Sequence, residues 1–483
     1  MERDQVWRVE LRNSMKAKER ANIPRVHMPE LDPGYRNKNN EEVNLGLTPE
    51  MAVTEATRCL DCVNPTCIEG CPVNIDIPRF IKNIERRYFS EAAKTLKETS
   101  ALPAVCGRVC PQEKQCEEKC IHVKMKKEPV AIGYLERFAA DFERESGNIS
   151  VPSTAPPNRI KIAVVGSGPA GLSFAGDMAK LGYTVIVFEA LHEIGGVLKY
   201  GIPEFRLPND IVDVEIDNLR TMGVKFLNNT IIGKTISIDD LKEEGYQGIF
   251  VGSGAGLPRF MNCRGENLVG VMSSNEYLTR VNLMDAASYE SDTPVFKGKN
   301  VAVIGGGNTA MDSVRTAKRL GADSAMIVYR RSEEEMPARI EEVKHAKEEG
   351  IEFLTLHNPI EYYGNERGHV VQMLLQVMEL GQPDESGRRS PVPVEGKTKL
   401  IDVDEVIVSV GVSPNPLIPR SVPGLKVSRW GTIEVNPETM QSDIPMIFAG
   451  GDIVRGGATV ILAMGDGRRA AKSMDEWIKN KIN

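Results

Sequence analysis

The sequence predicts a multidomain chain: an α-helical, cysteine-rich N-terminal domain, then two α/β Rossmann-like dinucleotide-binding domains, one inserted in the other. Three observations carry this. Eight of the nine cysteines fall between residues 59 and 120. An apolar strand, a glycine-rich turn and a small-residue helix occur twice, in KIAVVGSGPAGLSFAGDMAK and NVAVIGGGNTAMDSVRTAKR. Between the cysteines and the first of these lies ESGNISVPSTAPPNR, a Pro/Ser/Asn-rich linker. A length of 483 residues suits about three domains. The expected boundaries are 1–150, then 151–296 with 413–483, then 297–412 for the insertion.

Composition narrows the function classes. With 41% hydrophobic and 26% charged residues the chain can bury a sizeable core and has no need of disulfide staples. The N-terminus, MERDQVWRVELRNSMKAKER, lacks an apolar signal-peptide core, and no apolar run reaches the roughly 18 residues of a membrane span. A formal net charge of −7 argues against nucleic acid as a partner. The expected compartment is a reducing cytoplasm, with neither membrane nor nucleic acid involved.

Within the first domain, Thr48-Pro49 reads as a helix start, with an N-cap and proline at the first helical position. Residues 77–99 and 132–144 carry helical apolar spacing. The cysteines run C-x2-C-x4-C-x3-C-P and then C-x3-C-x5-C-x3-C. Eight thiols match two four-thiolate sites, and zinc or [4Fe–4S] satisfies that count. The first run is one residue off the two-cluster ferredoxin pattern, in which the cysteine before proline ligates the other cluster. By that logic Cys59, Cys62 and Cys67 join Cys120 in one site. Cys71 crosses over to Cys106, Cys110 and Cys116 in the second.

In Gly166-Ser167-Gly168-Pro169-Ala170-Gly171 the glycines permit a tight turn, close approach to a pyrophosphate and close helix packing. Glu189 ends the next strand, where an acid accepts hydrogen bonds from a ribose 2′-hydroxyl. The second turn, Gly305-Gly306-Gly307-Asn308-Thr309-Ala310, leads instead to a strand ending in Arg330-Arg331, which suits the 2′-phosphate of NADPH. The tail holds strand–Gly451-Asp452, of flavin-ribityl type, and then Ala458-Thr459-Val460 opening a helix toward the flavin. The first unit is therefore expected to hold FAD and the inserted one to receive NADPH. Beside a flavin the eight thiols are expected to hold two [4Fe–4S] clusters, because zinc carries no electrons. Cys263 stands alone and reads as a buried inert thiol. A disulfide-reductase reading lacks its cysteine pair. The charge-rich SEEEMPARIEEVKHAKEEG reads as a solvated helical face.

The combined motifs RCLDCVNPTCIEGCPVNIDIP, LPAVCGRVCPQEKQCEEKC, VAIGYLERF, VVGSGPAGL, GGVLKYGIPEFRLP, VIGGGNTAMD, VYRRSEEEMPAR and AGGDIVRGGATVILAMGDGRRAA resemble the small (beta) subunit of NADPH-dependent glutamate synthase. They are similar also to the N-terminal half of dihydropyrimidine dehydrogenase and to the large subunit of electron-bifurcating NADH-dependent reduced ferredoxin:NADP oxidoreductase. The resemblance covers nearly the whole chain. It implies that Glu136 can stand in for Cys106 as fourth ligand of the second cluster; Cys106 is preferred here because all eight thiols are present. It also implies that Gly195–Pro208, with Gly196, Leu198 and the possible charge partner Lys199, lies near the flavin. The implied function is electron input: NADPH reduces FAD, the clusters carry electrons out, and no side chain acts as acid or base. The implied partner is a larger glutamate synthase subunit or, alternatively, a small flavin/iron–sulfur subunit of a bifurcating transhydrogenase, in a hetero-oligomer. Nothing in the sequence resembles a glutamine-hydrolysing domain.

Overall fold

The computed structural model describes residues 2–385 and 387–482. In the N-terminal domain the helix Pro49–Thr57 starts as expected, with Thr48 Oγ1 accepting from Met51 N at 3.3 Å. The expected helix over 77–99 is two helices, Ile77–Glu85 and Phe89–Lys97. The break falls at Arg87, in the left-handed region at φ 64°. The neighbouring Arg86 guanidinium stacks 3.7 Å from the Trp7 ring centroid and 4.2 Å from that of Tyr88. Helix Ile132–Ser146 packs on these, with Phe138 and Phe142 against Phe89 at ring separations of 5.0 and 4.8 Å. It ends at Gly147, whose φ of 71° no branched residue would accept cheaply.

The first nucleotide unit is a five-stranded parallel sheet. Its order is Ile447–Ala449, Tyr246–Val251, Lys161–Val165, Thr184–Phe188, Lys225–Leu227. The strands are nearly continuous apolar runs because helices cover the sheet. Helix Pro169–Lys180 lies along the 23-residue helix Val460–Ile482. The two approach so closely at Gly467 that a Cβ there would sit 2.3 Å from Ala170 O. The tail thus completes the sheet that the first glycine turn begins, which makes the second unit an insertion.

That second unit is another parallel sheet, ordered Val271–Ser273, Glu405–Val408, Asn300–Ile304, Ser324–Tyr329, Glu352–Thr355. Its edge strand and the following helix Ser274–Leu283 precede residue 297, so the inserted sheet begins earlier than the sequence suggested. The chain crosses between units where Leu257–Pro258 pairs antiparallel with Val412–Ser413. A three-residue, half-buried strand has no apolar run to read. An antiparallel sheet of His357–Gly364, Val370–Pro383 and Arg389–Asp402 is added to this unit. Among the described residues no helix is long and apolar enough to cross a membrane.

The charge-rich segment is not a solvated face. Its helix Ile340–Glu348 is wedged between the other two units, burying Arg339, Glu342, His345 and Glu349. Arg315 and Arg319 both bind Glu349, at 2.8 and 2.7 Å, and Arg36 of the N-terminal domain reaches it at 3.1 Å. Arg206 binds Glu342 at 2.9 Å and Asp312 at 2.7 Å. Burial alone would raise Glu342 and Glu349. Facing arginine charges and, for Glu349, hydrogen bonds from Arg319 and Arg315 hold each at about 2, from about 4.5. Carboxylates held low in the folded state stabilise it above about pH 4.5, and that stability is lost as pH falls toward 2. Urea midpoints should therefore drop across that window more steeply in the native chain than in Glu342→Gln/Glu349→Gln. Parallel profiles would refute this.

Candidate functional site

Three sites follow one another through the molecule. In the first, Cys59, Cys62, Cys67 and Cys120 line one small cavity walled by Ile77, Ile81 and Val130. Burial pushes the Cys59 thiol up to about 12. In the second, Cys71, Cys106, Cys110 and Cys116 are all buried, and the charge of Glu136 acts to raise each of them. Burial pushes Cys71 up to about 12 as well. Thiols that burial keeps from ionising, such as Cys59, Cys67, Cys71 and Cys116, need a cationic occupant to become ligands. Among the described residues no three of these sulfurs lie within 4.8 Å of one another. Four thiolates on a single zinc at about 2.3 Å would stand only about 3.8 Å apart. Four thiols lining one small cavity fit a cluster held by four thiolates.

Glu136 is the unusual member of the second site. It lies on helix Ile132–Ser146 and is 6% exposed, and its Oε1 has no hydrogen-bond partner. Burial, and then the charge of Glu215, push it up to about 8. Cys106 is fully buried and turned toward the first nucleotide unit, its Sγ 3.5 Å from Met464 Sδ.

The flavin-type site is tied together by Ser167. Its backbone N and Oγ donate to Glu189 Oε2 at 2.9 and 2.6 Å, and its Oγ accepts from Gly195 N at 2.9 Å. The glycine turn, the strand-end acid and the Gly195–Gly196 loop are thus one unit. A Cβ on Gly196 would meet Gly168 Cα at 2.9 Å, whereas one on Gly168 would meet nothing within 4 Å. That open space, at a helix start with no side-chain cap, fits the pyrophosphate of a dinucleotide. Pro169, Ala170 and Gly171 form the buried first turn of that helix. Leu198 is wholly buried, and Lys199 is engaged by Glu193 and Asp213 at 2.9 and 2.6 Å.

From the tail, Gly451 has φ 76° and its N donates to Asp466 Oδ2 at 3.0 Å. Asp466 is fully buried and is held also by Arg455. The neighbouring Asp452 is raised to about 6, by burial first, with Ala458 N opposing. Thr459 Oγ1 accepts from Leu462 N at the start of the helix opened by Val460.

The third site is a cavity of about 620 Å³ floored by Gly305, Gly306, Gly307 and Thr309 and walled by Arg330 and Arg331. Gly305 has φ 142°, and its Cβ would lie 2.3 Å from Ser409 O. Asn308 is engaged elsewhere, its Oδ1 accepting from Arg339 N at 2.8 Å, and Ala310 is buried in the helix. Arg331 Nη2 donates to Asp384 Oδ2 at 2.6 Å and its Nε to Arg389 O at 2.8 Å. Arg259 and Arg388 also line the cavity. The sequence reading missed both, because each comes from a segment with no motif. Cys263 is half-buried rather than buried, and burial raises its thiol.

Comparison with known proteins fits this layout. Residues 36–148 match the family model described as Dihydropyrimidine dehydrogenase domain II, 4Fe-4S cluster, and residues 160–467 match Pyridine nucleotide-disulphide oxidoreductase. The glutamate synthase [NADPH] small chain of Azospirillum brasilense is 35% identical over 462 residues, covering 94% of this chain and 95% of that one. The chain belongs to the glutamate synthase small-chain family.

It is an NADPH-dependent oxidoreductase whose redox groups are FAD and two [4Fe–4S] clusters. The beta subunit of the NADP(+)-dependent formate dehydrogenase of Moorella thermoacetica is 37% identical over 440 residues, 86% of this chain but only 60% of that subunit. Among solved structures, FprA of Mycobacterium tuberculosis in complex with NADPH superposes with a TM-score of 0.56 at 20% identity, over 67% of this chain and 86% of that one, a likeness of fold. The disulphide chemistry in the second family's description needs a cysteine pair, and residues 160–467 contain only Cys263.

Proposed function

We propose that the chain is the electron-input subunit of a larger enzyme, taking electrons from NADPH and delivering them to a partner, and that the partner is a glutamate synthase large subunit. The observation that carries this is the contact between the cysteine domain and the flavin-type unit. Cys106 Sγ meets Met464 Sδ at 3.5 Å, and a Cβ on Gly465 would lie 2.9 Å from Pro72 O, the residue after Cys71. The second thiolate site therefore abuts the helix that begins at Val460. Bound there, FAD would supply the chemistry that joins a two-electron nicotinamide donor to one-electron clusters.

The chain's own residues bind and orient. Gly166, Gly168, Glu189 and Gly451 cradle the FAD, and the start of the Val460 helix favours negative charge at the flavin. Gly305, Gly307 and Thr309 take the NADPH pyrophosphate. Cys59, Cys62, Cys67 and Cys120 hold the outer cluster, three of them partly exposed, which suits an exit. Cys71, Cys110, Cys116 and Glu136 hold the inner one. Glu136 is preferred over Cys106 as the fourth ligand, because a buried carboxylate without a cation is costly unless a metal takes it.

The extent of the match supports the glutamate synthase partner: 94% of this chain aligns with the Azospirillum small chain, against 86% with the formate dehydrogenase beta subunit. Anaerobic purification from the native source tests the reading. A large glutamine-hydrolysing chain should co-purify. A small flavin/iron–sulfur chain instead would replace this reading with the bifurcating one.

A further inference from the structure

The nucleotide cavity holds one determinant that neither glycine turn nor strand end announces. Among the described residues, four arginines line it, Arg259, Arg330, Arg331 and Arg388, and no carboxylate does. Arg388 arrives from the hairpin joining Val370–Pro383 to Arg389–Asp402, in the antiparallel sheet added to the Rossmann unit. Three contacts strap that hairpin to the end of strand Ser324–Tyr329. Arg331 binds Asp384 and Arg389 O, and Arg389 Nε donates to Glu335 Oε1 at 2.6 Å. Asp384 Oδ1 also accepts from Arg388 N at 3.3 Å, so the residue that Arg331 grips fixes the backbone that presents Arg388.

Arg330 is the counterpart on the other wall. It has no hydrogen bond or ion pair among the described residues. Burial, and then the charges of Arg331 and Arg388, hold it below its ordinary value. Four guanidiniums around one cavity, with no carboxylate among the described lining residues, make a positive wall suited to an anion. The 2′-phosphate of a dinucleotide belongs at the end of this second strand.

We propose that Arg388 and Arg330 together clasp the 2′-phosphate of NADPH, while Arg331 and Asp384 are positioning residues that hold the hairpin over the cavity. This rests on the NADPH reading of the site, and it gives the hairpin a function in cofactor choice. It also reassigns Arg331, whose donors point into the hairpin rather than toward the ligand.

The test compares the holoenzyme with its Arg388→Ala, Arg330→Ala and Asp384→Ala variants. It reads kcat/KM for NADPH and NADH, and calorimetric affinity for 2′,5′-ADP against ADP. Arg388→Ala should lower kcat/KM for NADPH and affinity for 2′,5′-ADP about tenfold or more, the worth of one charge-assisted phosphate contact, with kcat, NADH and ADP within about twofold. Asp384→Ala should lose a similar factor for NADPH alone, and adding it to Arg388→Ala should cost little more. The proposal is overturned if Arg388→Ala leaves NADPH untouched, or weakens both nucleotides equally. A native enzyme that binds 2′,5′-ADP no better than ADP would sink the NADPH reading, and this proposal with it.

Discussion

Glu136→Ala is expected to strip about half of the bound iron from anaerobically purified protein, while Cys106→Ala keeps nearly all of it. The reasoning starts from cost. A carboxylate inside a helix–helix interface, with Oε1 unpartnered, destabilises the fold unless something cationic meets it. The groups close to it are the thiols of Cys71, Cys106, Cys110 and Cys116, which are no remedy while neutral and a worse one when charged. An iron of the inner cluster would resolve the conflict, whereas Cys106 has another contact, the thioether of Met464. Glu136→Gln should retain most of the iron, because an amide oxygen can still ligate. Iron and sulfide analysis with low-temperature EPR of the reduced protein reads the result. Loss of iron in Cys106→Ala together with full iron in Glu136→Ala would reverse the assignment.

Asp312→Ala should cost about 1–3 kcal/mol of stability, because it leaves buried Arg206 donors unsatisfied and Glu342 alone to face the charge. Arg206 leaves the loop that follows Gly195–Gly196 and enters the insertion, where its Nη1 donates to both Asp312 carboxylate oxygens at 2.7 Å. Burial works against the guanidinium, but Asp312 and Glu342 more than offset it, so the arginine stays charged. Asp312 sits one turn into the helix that starts at the NADPH glycine turn. The pair therefore fixes the nucleotide unit against the flavin loop. Replacing both partners, as Arg206→Leu/Asp312→Leu, should recover part of the loss, since no unpaired charge remains. A urea midpoint for Asp312→Ala within error of the native value would show that water already reaches the pair.

What could be read from sequence was whatever local backbone chemistry demands. Gly166 and Gly305 need left-handed φ and have backbone oxygens where a Cβ would go, so their spacing is visible in one dimension. Thr48-Pro49 announces a helix because a cap acts within one turn. The cysteine spacings proposed which thiols pair across the two runs, and Cys59, Cys62, Cys67 and Cys120 do line one cavity. The half-buried edge strand Val271–Ser273 carried no such sign, and the unit it belongs to was drawn too short.

Charge was the part that sequence misjudged. SEEEMPARIEEVKHAKEEG has the composition of a solvated face, yet Glu342, His345 and Glu349 are buried because arginines from positions 36, 206, 315 and 319 converge on them. Arg331 lines the cavity and also holds a hairpin, a role its motif did not announce, while Arg388 belongs to no motif and lines the cavity too. By itself the sequence determined the two glycine turns, the cysteine spacings and the family, since each is written in nearby residues. Only the tertiary structure decided which charges face which, because an ion pair depends on distance in space, and partners such as Lys344 and Glu30 lie 314 residues apart.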